Sequence, residues 1–346
     1  MRASTSLLRK SFSKYGSILI ITAFAVIPAL VLGMNNYFTS LHKNYESHKH
    51  QISSATDSID TEVSNFIANL QQLNDVLVQV SLVQDAADHL TSYIRPAATG
   101  STIPMDPALF GPEEKKAFDM IHSFVDRFSA VNYMTIASEK NGGILMCPPK
   151  ERPAGYDVRT RSWYKGCTES ASDQVLSDLY ISSVNELSIE ITNKIKEGNQ
   201  FKGVFSTSVD LSYLQTLIKN RTIGSGGYLF IVDKTGIVIA HPKNEKMIGQ
   251  SIETLAQDLK ELLTTTGKPL EKTIDDVPYI FQSHHSANQN IGWMYVAVIE
   301  KKEYEVIART MLWNLFFTIA GVILFALVVG YFVATYFLNP LKKIIS

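Results

Sequence analysis

Apolar residues gather in two charge-free windows, one near each end of the chain, and follow two different periodicities in between. The first window opens after Lys14 and is densest from Ile18 to Met34; the second carries no charge between Arg309 and Lys342 and is almost wholly apolar from Met311 to Leu338. A helix crosses a hydrocarbon core in about 20 residues, so both windows predict membrane spans, at 15–37 and 311–338. A cleaved secretory signal competes for the first window. Such a signal has an apolar core of about 7–15 residues followed by a small-x-small site, and no convincing site follows Gly33.

From Asn35 to about Leu90 there is no proline. Ile52, Ile59, Val63, Phe66, Ile67, Leu70, Leu73 and Leu77 recur at spacings of three, four and seven, which predicts one long amphipathic stalk helix. Arg95 to Pro112 is rich in Pro, Gly, Ser and Thr and predicts a loop, after which Glu113–Ala130 resumes helical spacing. Strand-forming runs then take over at 133–137, 144–147, 175–181, 187–195 and 201–209, and again at 271–281 and 293–299. Asn141-Gly142-Gly143 marks a hairpin.

An internal repeat organises these strands. Gly143 to Lys150 resembles Gly236 to Lys243, and a Tyr-x-x-Ile strand precedes each copy, at Tyr133–Ile136 and Tyr228–Ile231. Two copies of a strand-turn-strand unit predict tandem α+β subdomains on antiparallel sheets. Leu211–Asn220 serves as the connecting helix and Gly224–Gly227 as the boundary. The expected divisions are 38–95 (stalk), 96–222 (first subdomain) and 223–300 (second subdomain).

Charge orients this arrangement. Among 346 residues the net charge is −1 and 45% are hydrophobic, which argues against both a disordered polymer and a nucleic-acid binder. Arg2, Arg9, Lys10 and Lys14 precede the first span, and Lys342 and Lys343 follow the second. Both termini (1–14 and 339–346) are therefore expected in the cytoplasm and 38–308 outside. Cys147 and Cys167 form either a disulfide, as an oxidising compartment permits, or two buried free thiols.

The densest unusual segment runs from Tyr156 to Tyr164. Its arginine fork suits a carboxylate, since charge-assisted bonds are roughly twice as strong as neutral ones. Its rings supply apolar walls with polar tips. A ligand ammonium needs an acid as well, and Asp210 stands where a strand gives way to a helix. Bland roles stand beside these: Asp210 as an N-cap, a role that can coexist with binding, Arg161 in a surface pair with Asp157 or Glu169, Trp163 and Tyr164 as core. Arg159 is expected to be structural, paired with an acid or the loop backbone. The histidines at 42, 48, 50, 284 and 285 lack zinc-ligand spacing, and no phosphate loop, nucleophile elbow or catalytic carboxylate pair is present. The expectation is a non-enzyme with no metal and no cofactor.

In order and approximate spacing, Tyr156, Arg161, Trp163, Tyr164, Tyr180 and Asp210 resemble the amino-acid-binding double-Cache sensors of bacterial chemoreceptors and sensor kinases. The resemblance implies tandem PAS-like Cache subdomains, with the ligand in the membrane-distal one. Counterparts of Tyr156, Arg161 and Trp163 hold the α-carboxylate, and those of Tyr164, Tyr180 and Asp210 the amino group. Ser162 stands where the family commonly has proline, which would pre-set the backbone.

It further implies a sensor of free L-amino acids in the bacterial inner membrane, most simply the input half of a chemotaxis receptor. The alternatives are a histidine-kinase or cyclic-di-nucleotide-enzyme sensor and an anchored binding protein. A homodimer through the Ile52–Leu77 stripe is expected. Asn339–Ser346 resembles the opening of a HAMP linker, beyond which lies either an output module engaging cytoplasmic signalling proteins or action through a partner receptor.

Overall fold

The computed structural model describes residues 2–338 apart from 95–100, 184, 225 and 257–258. Residues Ile52–Glu300 form one compact unit and the two chain ends form another. In the unit of the ends, helix α1 (Arg2–Leu77) begins and helix α6 (Lys301–Phe332) runs on into a π-helical turn at Val333–Leu338. Both helices are long and apolar enough to cross a membrane. Large apolar side chains face outward on each, including Phe24, Leu32, Phe317 and Phe325, as a lipid solvent requires. The segment 339–346 lies outside the described residues.

The larger unit holds two five-stranded antiparallel sheets. The first contains β1 (Val131–Ser138), β2 (Ile144–Cys147), β3 (Gln174–Leu176), β4 (Glu190–Glu197) and β5 (Gln200–Val209), in the order β2-β1-β5-β4-β3. The second contains β6 (Tyr228–Val232), β7 (Val238–Ala240), β8 (Pro269–Ile274), β9 (Val277–His285) and β10 (Met294–Glu300), in the order β7-β6-β10-β9-β8. The orders coincide strand for strand. The two copies of the internal repeat are the β1-β2 and β6-β7 hairpins at one edge of each sheet.

Three predicted strands divide, among them 187–195, which splits into Leu187–Ser188 and β4. The run 271–281 is a hairpin of β8 and β9 around Asp275-Asp276, whose φ angles of 48° and 62° supply the left-handed pair that a two-residue turn of matching twist needs. Aspartate tolerates that conformation better than most residues. The run 175–181 also breaks: β3 ends at Leu176, while Tyr180–Ile181 pairs with Leu187–Ser188 as a separate ribbon.

The stalk helix ends at Leu77 instead of continuing to about Leu90. Helix α2 (Ser81–Ala87) follows after a turn. The break is tertiary in origin, because the last turn of α1 is pinned to the first sheet. Asn74 donates to the Ile191 carbonyl at 2.8 Å and accepts from Thr207 at 2.6 Å. Lower on α1, Asp60 accepts from Ser286 and the Ala287 amide. The apolar stripe expected to serve dimerisation is spent within the chain: Ile52, Ile59, Val63, Ile67, Leu70 and Leu77 are buried in the unit that holds both sheets.

Helices α3 (Pro112–Val125), α4 (Ser162–Glu169) and α5 (Leu211–Lys219) complete the larger unit. Cys147 and Cys167 are buried free thiols.

Candidate functional site

Alternation along the first sheet decides which side chains meet. Met134 and Ile136 point to one face of β1, while Tyr133 and Thr135 point to the other. Around the start of β4 the apolar residues Ile189 and Ile191 flank Glu190, which shares its face with Ser188 and Thr192. A cavity opens over this second face, lined by Tyr133, Thr135, Ile144, Met146, Tyr156, Trp163, Tyr180, Ser182, Ser183 and Glu190. Its free space is about 10 Å³, room for about one water, so a larger ligand requires the wall to move outward.

Glu190 is the chemical centre of this cavity. Only 1% of it is exposed. Its carboxylate accepts from Ser206 and from Tyr180 at 3.0 Å, and the Tyr133 hydroxyl, paired with Ser188 at 2.5 Å, lies close enough to act on it. Burial pushes its pKa up to about 7 against the pull of those three hydroxyls and of Arg152. The tyrosines are displaced in turn: burial first and then the nearby Glu190 charge raise both Tyr133 and Tyr180. An acid poised in this way, ringed by Tyr133, Tyr156, Trp163 and Tyr180, suits a cation that enters partly desolvated.

The segment 156–164 divides its residues between wall and scaffold. Tyr156 and Trp163 line the cavity. Arg161 stands over the Tyr156 ring, 5.9 Å from guanidinium to centroid. It forms no ion pair among the described residues, because Arg159 takes Asp157 in a two-pronged contact at 2.8 and 3.0 Å. Arg159 is thus the structural arginine that the sequence implied. Gly142 of the β1-β2 turn lets this corner close: at φ 64°, a Cβ there would stand 2.5 Å from the Asp157 carboxylate.

Three of the six expected ligand residues, Arg161, Tyr164 and Asp210, are not among those that line the cavity. Tyr164 is buried beside the cavity with its hydroxyl donating to Glu139 at 2.7 Å. Asp210 caps α5, accepting from the amide and hydroxyl of Ser212, each at 2.8 Å. The N-cap role expected of Asp210 is thus present, and Asp210 is not among the residues that line this cavity. The acid of the cavity is Glu190, which the sequence reading missed. A signal was available: a lone glutamate in the apolar strand Leu187–Ile195, on the face shared with small hydroxylated residues. Tyr133, Thr135, Ser182 and Ser183 were missed as well, and only the folding of Tyr180–Ser188 over the sheet brings the two serines in.

Comparisons with known proteins agree with this architecture. Methyl-accepting chemotaxis proteins of Bacillus subtilis strain 168 are similar in sequence. McpA is 22% identical over 85% of this chain and 42% of its own length, and McpB is 24% identical over 94% and 44%. The chain therefore spans less than half the length of these relatives. Among solved structures, the ligand-binding domain of the amino acid chemoreceptor PctB of Pseudomonas aeruginosa PAO1, in complex with L-Arg, superposes with a TM-score of 0.57 at 18% identity. That alignment covers 75% of this chain and 97% of that one and speaks to the fold alone. The dCache_1 model of the Cache domain matches residues 39–308, and with its two sheets of one strand order this chain belongs to that family.

Proposed function

We propose that this chain is the sensing portion of a bacterial chemotaxis receptor that binds free L-amino acids in the cavity of the first sheet. The observation that carries this reading is the buried Glu190 carboxylate, set in an aromatic cavity with Arg161 over the Tyr156 ring. The ammonium of the ligand sits against Glu190 and the tyrosine hydroxyls, and its carboxylate is met by the Arg161 guanidinium, with Trp163 and Tyr156 as walls. Glu190 takes the role first assigned to Asp210. The bound form favours one of two states of the domain by unequal affinity. Because β10 ends at Glu300 where α6 begins, the outcome passes along the chain into the second span. Support for chemotaxis comes from the relatives, which are methyl-accepting chemotaxis proteins, and support for amino acids from the PctB domain, solved in complex with L-Arg. Spans at 15–37 and 311–338 anchor the protein in the inner membrane with the cavity outside and both termini in the cytoplasm, as a homodimer.

The test is ligand-dependent thermal stability of the full chain in detergent, screened against the proteinogenic amino acids. A ligand at about 100 times its dissociation constant adds roughly 2.7 kcal/mol to the folded state, a readily measured upward shift in Tm. Stabilisation by other metabolites and by no amino acid would overturn the assignment.

A further inference from the structure

We propose that the cavity is built for an amino acid carrying a second carboxylate, with Arg152 as the residue that receives it. This deepens the reading of the cavity as an amino-acid site and rests on it. Arg152 lies in the two-residue ladder where Thr102–Ile103 pairs with Arg152–Pro153, and it is 0% exposed. Its partners are poor for a buried cation. Nη2 donates to the Met146 thioether at 2.7 Å, Nη1 reaches the Ser183 hydroxyl and the Glu151 carbonyl at 3.4 Å each, and Nε has no acceptor among the described residues. A guanidinium has five donors, and thioether sulfur is a weak acceptor. Removing such a charge from water without a counter-ion is expensive. Burial accordingly pushes the Arg152 guanidinium below its ordinary range, against the pull of the surrounding tyrosines.

Three of its contacts belong to the cavity wall: Met146, Ser183 and the Tyr156 ring, whose centroid is 5.5 Å from the guanidinium carbon. Arg161 stands 5.9 Å from the same centroid. Two guanidinium groups thus flank one ring of the cavity, while a single carboxylate, Glu190, lies in its wall. Other charges nearby are answered or exposed: Lys150 pairs with Glu186 and Arg159 with Asp157, and Glu139 and Glu151 are exposed. A neutral amino acid brings one carboxylate and one ammonium, which answer one arginine and Glu190 and leave the other arginine as it was. Aspartate or glutamate brings one carboxylate more. With it, every buried charge of the site meets its opposite, which is how complementarity yields specificity.

The experiment is calorimetric titration of the full chain in detergent with L-aspartate, L-glutamate, L-asparagine and L-glutamine. At least one acid is expected to bind about 10-fold or more tighter than its own amide, the scale of one charge-assisted contact. In Arg152→Met that ratio falls toward one. In Arg152→Lys, which keeps the charge and loses the fork, it takes an intermediate value, and this second variant serves if the first does not fold. Amides that bind the unaltered protein as tightly as the acids overturn this proposal and leave the amino-acid reading standing. Failure of every amino acid to bind, with the protein folded, removes the underlying reading and this proposal together.

Discussion

The two sheets of the larger unit share one strand order and differ in what their inner faces carry. Register makes the comparison residue by residue. In the first sheet Thr135 pairs with Ser206, and Tyr133 pairs with Ser208, which in turn faces Glu190. In the second sheet the same places are taken by Phe230 opposite Val296, and by Tyr228 opposite Val298, which faces Phe281. A threonine, two serines and a glutamate thus stand where their counterparts are two phenylalanines and two valines. The second sheet closes over a filled core of Phe230, Phe281, Val296, Val298, Leu259 and Leu262, and the first leaves a polar cavity. Backbone hydrogen bonding is indifferent to this choice, because alternate side chains leave the ladder perpendicular to it. The fold sets where a site can be, and the inward residues decide whether one exists.

Exchanging inner-face residues tests this contrast. The largest effect is expected from Phe281→Glu, which puts the acid of the cavity into the filled core. There it finds neither the hydroxyls of Tyr133 and Tyr180 nor a water path. With the ring lost and a carboxyl buried, destabilisation of about 5 kcal/mol or more is expected, measured by denaturant unfolding at pH 8. Stability close to that of the unaltered chain would mean that the two sheets are not equivalent in packing. The reciprocal exchange, Thr135→Phe, fills the cavity with the residue of the second sheet. Amino-acid binding should weaken by about 5- to 150-fold, the equivalent of the roughly 1–3 kcal/mol that overpacking costs, while the far-ultraviolet circular dichroism stays unchanged.

Glu190→Gln comes next. Loss of the charge should weaken amino-acid binding by about 10- to 100-fold, the value of a hydrogen bond to a charged group. The same residue sets a pH dependence. Its pKa is raised from 4.5 to about 7, so protons compete with the ligand ammonium below neutrality. Affinity should be flat above pH 8 and fall toward about 10-fold per unit as pH drops below 7. In the ligand-free protein the sign is opposite. Between 4.5 and 7 the folded state binds this proton more tightly than the unfolded chain, so the contribution of Glu190 to stability is lost as pH rises. Glu190→Gln should remove both trends, and titrations at pH 5.5, 6.5 and 8 would detect either one surviving. The smallest effect belongs to Asp210→Ala. As an N-cap it is worth about 1 kcal/mol, so Tm should drop by a few degrees with the dissociation constant unchanged. A large loss of affinity would return Asp210 to the site and break the assignment of the acid to Glu190.

Patterning made much of the architecture legible: the two apolar windows, the helix that begins with them, the repeated hairpins and the antiparallel sheets. These follow from hydrophobic period, which local geometry translates directly into elements. Of the aromatic and arginine residues at 156–163, Tyr156 and Trp163 line the cavity and Arg159 is spent on Asp157. Elements ending for tertiary reasons were not legible. Nothing local stops α1 at Leu77; Asn74 bonding to β4 and β5 coincides with the end. Asp275-Asp276 passed as strand because its turn depends on two left-handed residues without glycine.

What the sequence alone determined is the kind of molecule: a repeated α+β domain between two apolar helices, with charged and aromatic residues gathered in the first repeat. Period and composition are properties of neighbours along the chain, and they need no partner to be read. Only the tertiary structure decided which acid lines the cavity and which arginine is buried beside its wall. Asp210 and Glu190 lie 20 residues apart at the two ends of one β-hairpin, yet one is turned to cap a helix and the other is sealed among hydroxyls. Arg152 resembles any loop arginine until the pairing of Thr102–Ile103 with Arg152–Pro153 places it on a fully buried position. Burial and charge pairing depend on long-range contacts, and those contacts set the chemistry of a side chain whose identity the sequence alone records.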